Sequence, residues 1–383
     1  MTQTAQGIRY VHLVDSARPG GAEKLAIDIL KFLAGAGSGA GRLLSPASSE
    51  TGAIARSYGI SVSPYPAQWL LAPQPARCLS ANAVVLGRLG RRRRTLLHLH
   101  SPFVYLALRP AIRLSRARTV LHMHLDYSDE LLLKVLERPP HLIVACGEFI
   151  RQRIAQVQKR KPEKAAPIAT IRNAVDTEKF HPGDRESAKA RLGVDPQRPL
   201  LLVVANLAAH KGQLTAIKSV AGLVAEGLRP CLWLVGEERD SSSSYTADLH
   251  SLVERLGVSD HVRFTGFRED VPELLRAADF LLLPSTAEGL PLVILEAQAS
   301  DAVVLAAPTA GVPEVITDGE TGFLIAAEDP QGYASTLGRL IRRPGEARAV
   351  AQSALSQVRS GFTFERYCEI LMAEYDKLMQ TED

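Results

Sequence analysis

Short, almost unbroken hydrophobic runs recur along the whole chain, and each is followed by a segment with helical periodicity. The runs cover residues 8–15, 95–100, 119–124, 142–147, 168–173, 200–207, 231–236, 262–267, 279–284, 302–307 and 322–325. Strands that are apolar on both faces are typical of parallel sheets covered by helices on both sides. The alternation therefore predicts an α/β chain built from doubly wound parallel sheets.

The length of 383 residues is too great for one ordinary hydrophobic core and predicts about two domains. The polar stretch 181-HPGDRESAKARLG-193 contains proline and glycine and marks the change between the two halves. The last segment, 362-FTFERYCEILMAEYDKLM-379, has apolar residues at helical spacing and predicts a terminal helix. In doubly wound sheets ligands bind at the carboxyl ends of the strands, so we expect the site there, in the cleft between the domains.

The composition indicates a protein of the cytosol. No apolar run approaches the roughly 18 residues needed to span a bilayer. The start, MTQTAQGIRYVHLVD, lacks a basic region followed by an apolar stretch, so we expect no signal peptide. Four scattered cysteines without C-x-x-C spacing, at positions 78, 146, 231 and 368, indicate reduced structural thiols.

Charge is distributed unevenly between the two halves. Residues 1–180 hold 26 basic and 12 acidic side chains, a balance of +14, whereas the whole chain has a net charge of +4. The basic residues include the run Arg91, Arg92, Arg93 and Arg94 and a second set, Arg109, Arg113, Arg116 and Arg118. They form either a solvated face or a surface for anionic lipid or an anionic acceptor. Nucleic acid is not expected as a partner, since there is no helix-turn-helix or RNP-like motif and few aromatic residues.

Two glycine-containing stretches follow the first strand and the first helix. Gly20 and Gly21 lead from the first strand into a helix, where glycine lets the backbone approach an anion at the helix N-terminus. They predict a cradle for a phosphate or a sugar, although a turn that simply needs flexible residues has the same appearance. The richer run 35-GAGSGAG-41 follows a helix and predicts a helix end and a loop.

Two H-x-H pairs, His98/His100 and His122/His124, end apolar strands. Alternation places both members of a pair on one face of the strand. Three interpretations are open: metal ligands, polar contacts to a substrate, or buried histidines whose hydrogen bonds are satisfied. The spacing places no Asp or Glu beside them, which argues against a metal.

The stretch 284-PSTAEGLPLVILEAQAS-300 contains two glutamates eight residues apart. Glu288 lies in the loop after a strand, Pro291 suits the first turn of a helix, and Glu296 lies inside that helix. An acid/base couple is one interpretation, but the spacing does not give the distance between the carboxylates. Two ligand anchors around the free N–H groups of Leu292 and Val293 are the other, an arrangement typical of a nucleotide-sugar site. Lys211, before the N-terminus of another helix, is placed to neutralise a phosphate.

Together with the motifs GGAE (20–23), IRNAVDTEKF (171–180), ANLAAHKG (205–212) and AGVPEVITDGETGFLI (310–325), the stretch 264–297 resembles the retaining glycosyltransferases of family 4, or group 1. The resemblance extends over nearly the whole chain. It implies the GT-B fold, in which two Rossmann-like domains face each other across a cleft. The domains would be residues 1–180, on the acceptor side, and 190–360, which bind the nucleotide-sugar. The segment 362–383 would cross back to the first domain.

The resemblance also implies roles for matching residues. It assigns catalytic roles to His124, with His122 as the alternative two residues away, and to Lys211 and Glu288. Glu288 would hold the donor sugar, Lys211 the diphosphate and Glu296 the ribose. The substrate-binding set would be Gly20, Gly21, His100, Asn173, Asn206, Gly236, Phe267, Arg268, Gly289, Leu290, Pro291, Leu292, Val293 and Glu296. Phe267 and Arg268 would lie at the base.

Three positions depart from the family pattern. Asn206 stands where a basic residue is common, Asp301 stands where glycine is usual, and 173-NAVD-176 replaces N-G-V-D. The chain has no D-x-D pair, which agrees with metal-independent chemistry. We therefore expect no metal and no cofactor beyond the nucleotide-sugar donor.

The expected function is transfer of a sugar, with retention of configuration, from a nucleotide-sugar to a cell-envelope glycan or lipid-linked acceptor. UDP is expected before GDP as the nucleotide. The protein would be cytoplasmic, and peripheral at the inner face of the membrane through Arg91–Arg94, Arg109, Arg113 and Arg116. The alternatives are a sugar-nucleotide epimerase or hydrolase of the same fold and a non-catalytic scaffold at the membrane surface.

Overall fold

A computed structural model describes residues 7–36, 41–69, 75–90, 94–238 and 244–380. The chain divides into two compact units. Unit 1 consists of Met1–Arg172 together with Tyr367–Asp383, and unit 2 consists of Asn173–Arg366. Each unit has its own parallel sheet with helices between the strands.

The sheet of unit 1 has seven parallel strands in the order β3-β2-β1-β4-β5-β6-β7. These strands are β1 Arg9–Leu13, β2 Gly41–Pro46, β3 Ser61–Tyr65, β4 Thr95–Leu99, β5 Arg118–Met123, β6 Leu142–Ala145 and β7 Ile168–Thr170. The helices are α1 Gly21–Gly35, α2 Glu50–Ser57, α3 Pro75–Leu89, α4 Pro102–Ala107, α5 Arg109–Ser115, α6 Asp129–Leu136 and α7 Glu148–Gln158. The strand order reverses between β1 and β4, which makes that point the expected place for a ligand.

Unit 2 has a six-stranded parallel sheet in the order β10-β9-β8-β11-β12-β13. Its strands are β8 Leu200–Val204, β9 Cys231–Val235, β10 Val262–Gly266, β11 Phe280–Leu283, β12 Val303–Ala306 and β13 Phe323–Leu324. Its helices are α8 Arg185–Arg191, α9 Gln213–Ala225, α10 Tyr245–Arg255, α11 Val271–Ala277, α12 Leu292–Ala299, α13 Pro330–Arg342 and α14 Pro344–Gly361. Here the order reverses between β8 and β11.

The hydrophobic runs form strands because their side chains are buried on both faces of each sheet. All five residues of β4 are buried, as are all four of β11 and of β12. In unit 2 the core combines the strands with the apolar faces of α9, α10 and α13, which contribute Ile217, Leu249 and Leu337 among others. This burial is the main stabilising contribution in an α/β domain.

Two strands of unit 1 are absent from the sequence-based prediction. β2 reads GRLLSP, with only two strongly apolar residues, and β3 reads SVSPY. β3 is an edge strand with an alternating burial pattern, so it does not produce a continuous hydrophobic run. The predicted end of the first helix agrees with the structure, since α1 ends at Gly35; residues 37–40 lie outside the described residues.

The last helix, α15 Phe364–Gln380, begins in unit 2, and from Tyr367 onward it belongs to unit 1. Its Leu371 and Tyr375 are fully buried, and the ring of Tyr375 lies 5.8 Å from that of Tyr10 on β1. The structure thus confirms an α/β chain of two doubly wound domains with a terminal helix that returns to the first. Among the described helices, none is both long and apolar enough to cross a bilayer.

Candidate active site

The two loops at the strand-order reversal of unit 2 bring Lys211 and Glu288 together. Lys211 ends a short 3-10 turn after β8, and Glu288 lies in the loop after β11. The ammonium nitrogen of Lys211 lies 2.7 Å from Oε1 of Glu288. Their side chains are 18% and 8% exposed, so the pair is largely withdrawn from solvent. Two residues predicted separately from sequence therefore form one charged contact at the carboxyl edge of the sheet.

Backbone contacts fix the relative position of these loops. Gly212, which precedes α9, has φ +71°, and a Cβ there would lie 2.0 Å from the carbonyl oxygen of Pro284. Only glycine permits both this left-handed conformation and this approach. The amide of Thr286 also donates to the carbonyl oxygen of His210 at 2.9 Å. These backbone contacts consequently hold together the two loops that carry Lys211 and Glu288.

Helix α12 begins directly after this loop with Pro291 as its N-cap. The first N–H groups of a helix have no intrahelical acceptor and carry partial positive charge. Leu292 and Val293 supply them here, and both residues are partly exposed. Glu296, also partly exposed, lies about one turn further along the helix. The helix start is thus placed for an anion, with a glutamate on each side of it in the sequence.

The loop between Glu288 and Pro291 is supported from behind. Asn173, which is buried, donates from Nδ2 to the carbonyl oxygen of Leu290 at 2.7 Å. The amide of Gly311 donates to the carbonyl oxygen of Gly289 at 2.8 Å, and a Cβ at Gly311 would lie 2.7 Å from that oxygen. Asn173 was predicted as a substrate-binding residue. The structure shows that its amide nitrogen holds the loop on which Glu288 lies.

Asn206 follows β8, and its carbonyl oxygen accepts a hydrogen bond of 2.8 Å from the side chain of Gln213. The positive charge supplied after β8 is that of Lys211. Gly236, after β9, has φ +142°, and a Cβ there would lie 2.0 Å from the carbonyl oxygen of Ala205. Gly236 therefore allows the chain after β9 to lie directly against the chain after β8.

Phe267 and Arg268 follow β10, two strands away from β8. The ring of Phe267 is 44% exposed, large for a phenylalanine, and its amide donates to Oε1 of Glu237 at 3.4 Å. The guanidinium of Arg268 donates hydrogen bonds to both carboxylate oxygens of Asp270, and its Nε lies 2.7 Å from Oδ1. Phe267 thus offers an aromatic face, whereas the charge of Arg268 is shared with Asp270.

In unit 1, Gly20 and Gly21 lie at the start of α1 as predicted. The amide of Gly20 donates to Oε2 of Glu23 at 2.9 Å, and Glu23 is 6% exposed. The carboxylate of Glu23 therefore already occupies the helix N-terminus at which the sequence predicts a phosphate or a sugar. Any phosphate bound there would compete with Glu23, a residue that belongs to the GGAE motif.

Five histidines form a stacked group on one face of the unit 1 sheet, which we call the histidine ladder: His12, His98, His100, His122 and His124. Nδ1 of His12 lies 3.1 Å from Nε2 of His100, and Nδ1 of His100 lies 3.0 Å from Nε2 of His124. His98 contacts the hydroxyl of Tyr375 on α15. His12 was not predicted, because a single histidine in β1 has no H-x-H partner to identify it.

Burial keeps the ladder uncharged. It lowers the pKa of His12 to about 3 and that of His124 to about 4. Burial, reinforced by the neighbouring histidines, lowers the pKa of His98, His100 and His122 well below the ordinary value. Of the five, only His124 is partly exposed, so it is the member best placed for a contact with substrate. His100 directs both of its ring nitrogens at other histidines.

The predicted basic surface is only partly described. Arg91, Arg92 and Arg93 lie outside the described residues. Arg109 donates hydrogen bonds to the carbonyl oxygens of Lys134 and Val135 at the end of α6. Its positive charge therefore stabilises the C-terminus of that helix. Arg113 and Arg116 are exposed, and Leu114 between them is 52% exposed.

Comparisons with known proteins match both units. The family model for glycosyl transferases group 1 matches residues 184–357, and that for Glycosyltransferase Family 4 matches residues 19–179. A D-inositol 3-phosphate glycosyltransferase of Actinosynnema mirum is 34% identical over 216 residues, which are 55% of this chain and 52% of the relative. One of Mycolicibacterium paratuberculosis is 29% identical over 249 residues, 64% and 55% of the two chains. The chain spans about half the length of these curated relatives.

Solved structures share the fold over nearly the whole chain. The crystal structure of Anabaena HepE in complex with UDP and glucose has a TM-score of 0.84 at 22% identity, covering 97% of this chain and 100% of HepE. Sucrose-phosphate synthase from Thermosynechococcus elongatus has a TM-score of 0.78 at 17% identity, covering 97% and 99%. The fold is therefore GT-B. With a family model matched in each unit, the chain belongs to the glycosyltransferases of family 4, or group 1.

Proposed function

We propose that this protein transfers a sugar from a UDP-sugar to an anionic or lipid-linked acceptor, with retention of configuration at the anomeric carbon. The observation that carries the proposal is the Lys211–Glu288 contact beside the start of α12. A partly buried cation, a helix N-terminus and two nearby glutamates are the groups that a nucleoside diphosphate joined to a sugar requires. The crystal structure of Anabaena HepE with UDP and glucose supports UDP as the nucleotide.

Each group has a distinct task in binding the donor. Lys211 and the N–H groups of Leu292 and Val293 hold the diphosphate. Glu288 accepts hydrogen bonds from sugar hydroxyls once the diphosphate has taken Lys211 as its partner, and Glu296 accepts from the ribose hydroxyls. Phe267 offers its exposed ring to the base.

The reaction requires no dedicated nucleophile in this proposal. The bond between the anomeric carbon and the diphosphate oxygen breaks, and the acceptor oxygen bonds to the same face of that carbon. The acceptor proton passes to the departing diphosphate. Lys211 and the start of α12 stabilise the negative charge that develops on the leaving group.

The acceptor is inferred from charge. Residues 1–180 carry a balance of +14, and the curated relatives are named as enzymes acting on an inositol phosphate, which is an anion. An anionic acceptor, or an acceptor on an anionic cytoplasmic membrane surface, suits this half of the chain. A cell-envelope glycan precursor combines both properties.

A donor screen is the primary experiment. UDP, GDP, UDP-sugars and GDP-sugars are compared by thermal shift, because a ligand that binds the folded state raises its melting temperature. We expect UDP and one or more UDP-sugars to stabilise the protein, and GDP to do so less. Absence of stabilisation by any nucleotide would instead favour the non-catalytic scaffold. Release of free sugar without an acceptor would favour a hydrolase.

Glu296→Ala tests the donor site directly. Loss of a hydrogen bond to a charged group costs about 1.5–3 kcal/mol, so we expect the Kd for UDP to rise by roughly 10- to 100-fold. Calorimetric titration measures the Kd, with Glu269→Ala, an exposed glutamate after β10, as the control. An unchanged Kd in Glu296→Ala would contradict the site. Adding Mg²⁺ or Mn²⁺ should leave UDP binding by the wild type unaltered.

A further inference from the structure

We propose that His100, His122 and His124 form a binding site for one divalent transition-metal ion of the late first row, with zinc as the ion to test. This histidine triad lies at the carboxyl ends of β4 and β5 in unit 1, whereas the donor groups described above lie in unit 2. The proposal does not depend on the transferase activity.

The spacing of the ring nitrogens is the first argument. One nitrogen from each member of the triad lies within 4.8 Å of the other two. Nδ1 of His100 and Nε2 of His124 are 3.0 Å apart. Two nitrogens bound to one tetrahedral zinc at about 2.0–2.1 Å lie about 3.3 Å from each other. This pair therefore needs a small adjustment to share an ion, which would replace the proton between them.

His122 supplies an independent argument. It is fully buried, and within the described part of the chain neither of its ring nitrogens has a hydrogen-bond partner. Its ring packs on that of His124 with centroids 4.0 Å apart. A buried imidazole with both nitrogens unpaired is costly, and such groups in native proteins usually indicate a missing partner. A metal ion in contact with one nitrogen provides that partner.

The protonation state suits metal binding. Burial holds the pKa of all three histidines below the neutral range, so their rings keep the lone pairs that a metal requires. Neutral imidazole nitrogen favours zinc, copper, nickel or cobalt over magnesium or calcium. Nδ1 of His12, 3.1 Å from Nε2 of His100, is placed to orient the ring of His100 from outside the site.

Access distinguishes the triad from the rest of the ladder. His12, His98 and His100 also bring ligand atoms within 4.8 Å of one another, but all three are buried, and His98 already contacts the hydroxyl of Tyr375. The partly exposed His124 gives an ion a way in from the strand ends. Three protein ligands leave a fourth position for water or a ligand hydroxyl.

Metal content measured on protein without a histidine tag tests the site. The wild type, His122→Leu and His98→Leu are treated with EDTA, reloaded with zinc and dialysed before elemental analysis. We expect about one zinc per chain in the wild type and in His98→Leu, and less than a tenth of that in His122→Leu. Zinc should raise the melting temperature of the first two proteins only.

His122→Leu is expected to fold, because it replaces an unpartnered buried polar ring by an apolar side chain of similar size. Far-UV circular dichroism checks this, and His124→Gln is a second variant should the leucine prove disruptive. Wild-type protein that retains no zinc, or His122→Leu and His124→Gln that retain as much as the wild type, overturns the proposal. Loss of zinc in His98→Leu alone would indicate that the ion binds His12, His98 and His100 instead, and would also overturn the proposal.

Discussion

Lys211 has one charged partner in the structure, and we propose that it exchanges this partner when the donor binds. In the structure its ammonium is neutralised by Glu288 at 2.7 Å. In the proposed donor complex, a diphosphate would offer it a stronger, doubly charged partner and would release the Glu288 carboxylate for sugar hydroxyls. The absence of a basic side chain at position 206 makes Lys211 the cation supplied by the loop after β8.

Lys211→Ala should therefore weaken UDP binding by roughly 10- to 100-fold, since a charge-assisted hydrogen bond is worth about 1.5–3 kcal/mol. Lys218→Ala, which removes an exposed lysine from α9, the helix that follows Lys211, is the matched control and should leave the Kd unchanged. Calorimetric titration with UDP compares the two. Equal affinities for both variants would exclude Lys211 from the diphosphate site.

Two glycines with the same backbone conformation differ in how closely other atoms pack against them, so comparing them distinguishes the effect of conformation from the effect of packing. Gly193 and Gly212 both have φ +71°. A Cβ at Gly193 meets nothing within 4 Å, whereas one at Gly212 would meet the backbone of Pro284 at 2.0 Å. The loop after β8 and the loop after β11 consequently depend on Gly212 for their close packing.

Gly193→Ala should lower the free energy of unfolding by about 1–2 kcal/mol, the usual cost of a left-handed conformation for a residue with a Cβ. Gly212→Ala should lower it further and also abolish UDP binding, because the backbone of Pro284 must move. Urea denaturation gives the free energies and calorimetry gives the affinities. Comparable destabilisation with intact UDP binding in both variants would refute the role of this contact.

At the scale of the whole molecule, the two halves differ in charge. Residues 1–180 balance to +14 and the remaining residues to −10. Charge of one sign on one half favours association of that half with an anionic surface, at about 1 kcal/mol per basic residue close to it. The exposed Arg113, Leu114 and Arg116 on and after α5 combine charge with an apolar side chain, which suits a membrane interface.

Co-sedimentation with anionic vesicles should accordingly be strong at low salt and weaken as salt is raised, because screening shortens the range of the attraction. The double variant Arg113→Glu/Arg116→Glu should bind several-fold less. Arg348→Glu, an exposed arginine of α14 in unit 2, is the control and should bind like the wild type. Binding that is equal on neutral and anionic vesicles would reject the membrane surface as a partner.

Much of this arrangement follows from sequence. The strands of both switch points are long hydrophobic runs, so β1, β4, β8 and β11 are predictable, and with them the loops that carry Lys211 and Glu288. β2 and β3 were not predicted, because polar residues and proline keep their hydrophobic runs short. The edge strands β7, β10 and β13 were predicted, because their hydrophobic runs are not interrupted in this way.

The side-chain partners are less predictable, because they depend on residues distant in sequence. Asn173 supports the carbonyl of Leu290 across 117 positions. Glu23 fills the helix start at Gly20, and Asp270 takes the charge of Arg268. The histidine ladder spans β1, β4 and β5, and β1 lies beside β4 although two strands separate them along the chain. The spacing of residues in the sequence identifies candidate site residues, whereas the packing of the folded chain determines which atoms each side chain contacts.

Unit 2 is one unbroken stretch of chain, whereas unit 1 is assembled from both termini. Because unit 2 is a single segment, a recombination event needs only two crossover points, one at each end of residues 173–366, to replace it as a whole. The reciprocal exchange of unit 1 requires two segments to be matched at once, including the register of α15 on β1. Recombination can therefore replace the unit that carries Lys211 and Glu288 more readily than the unit that carries the histidine ladder.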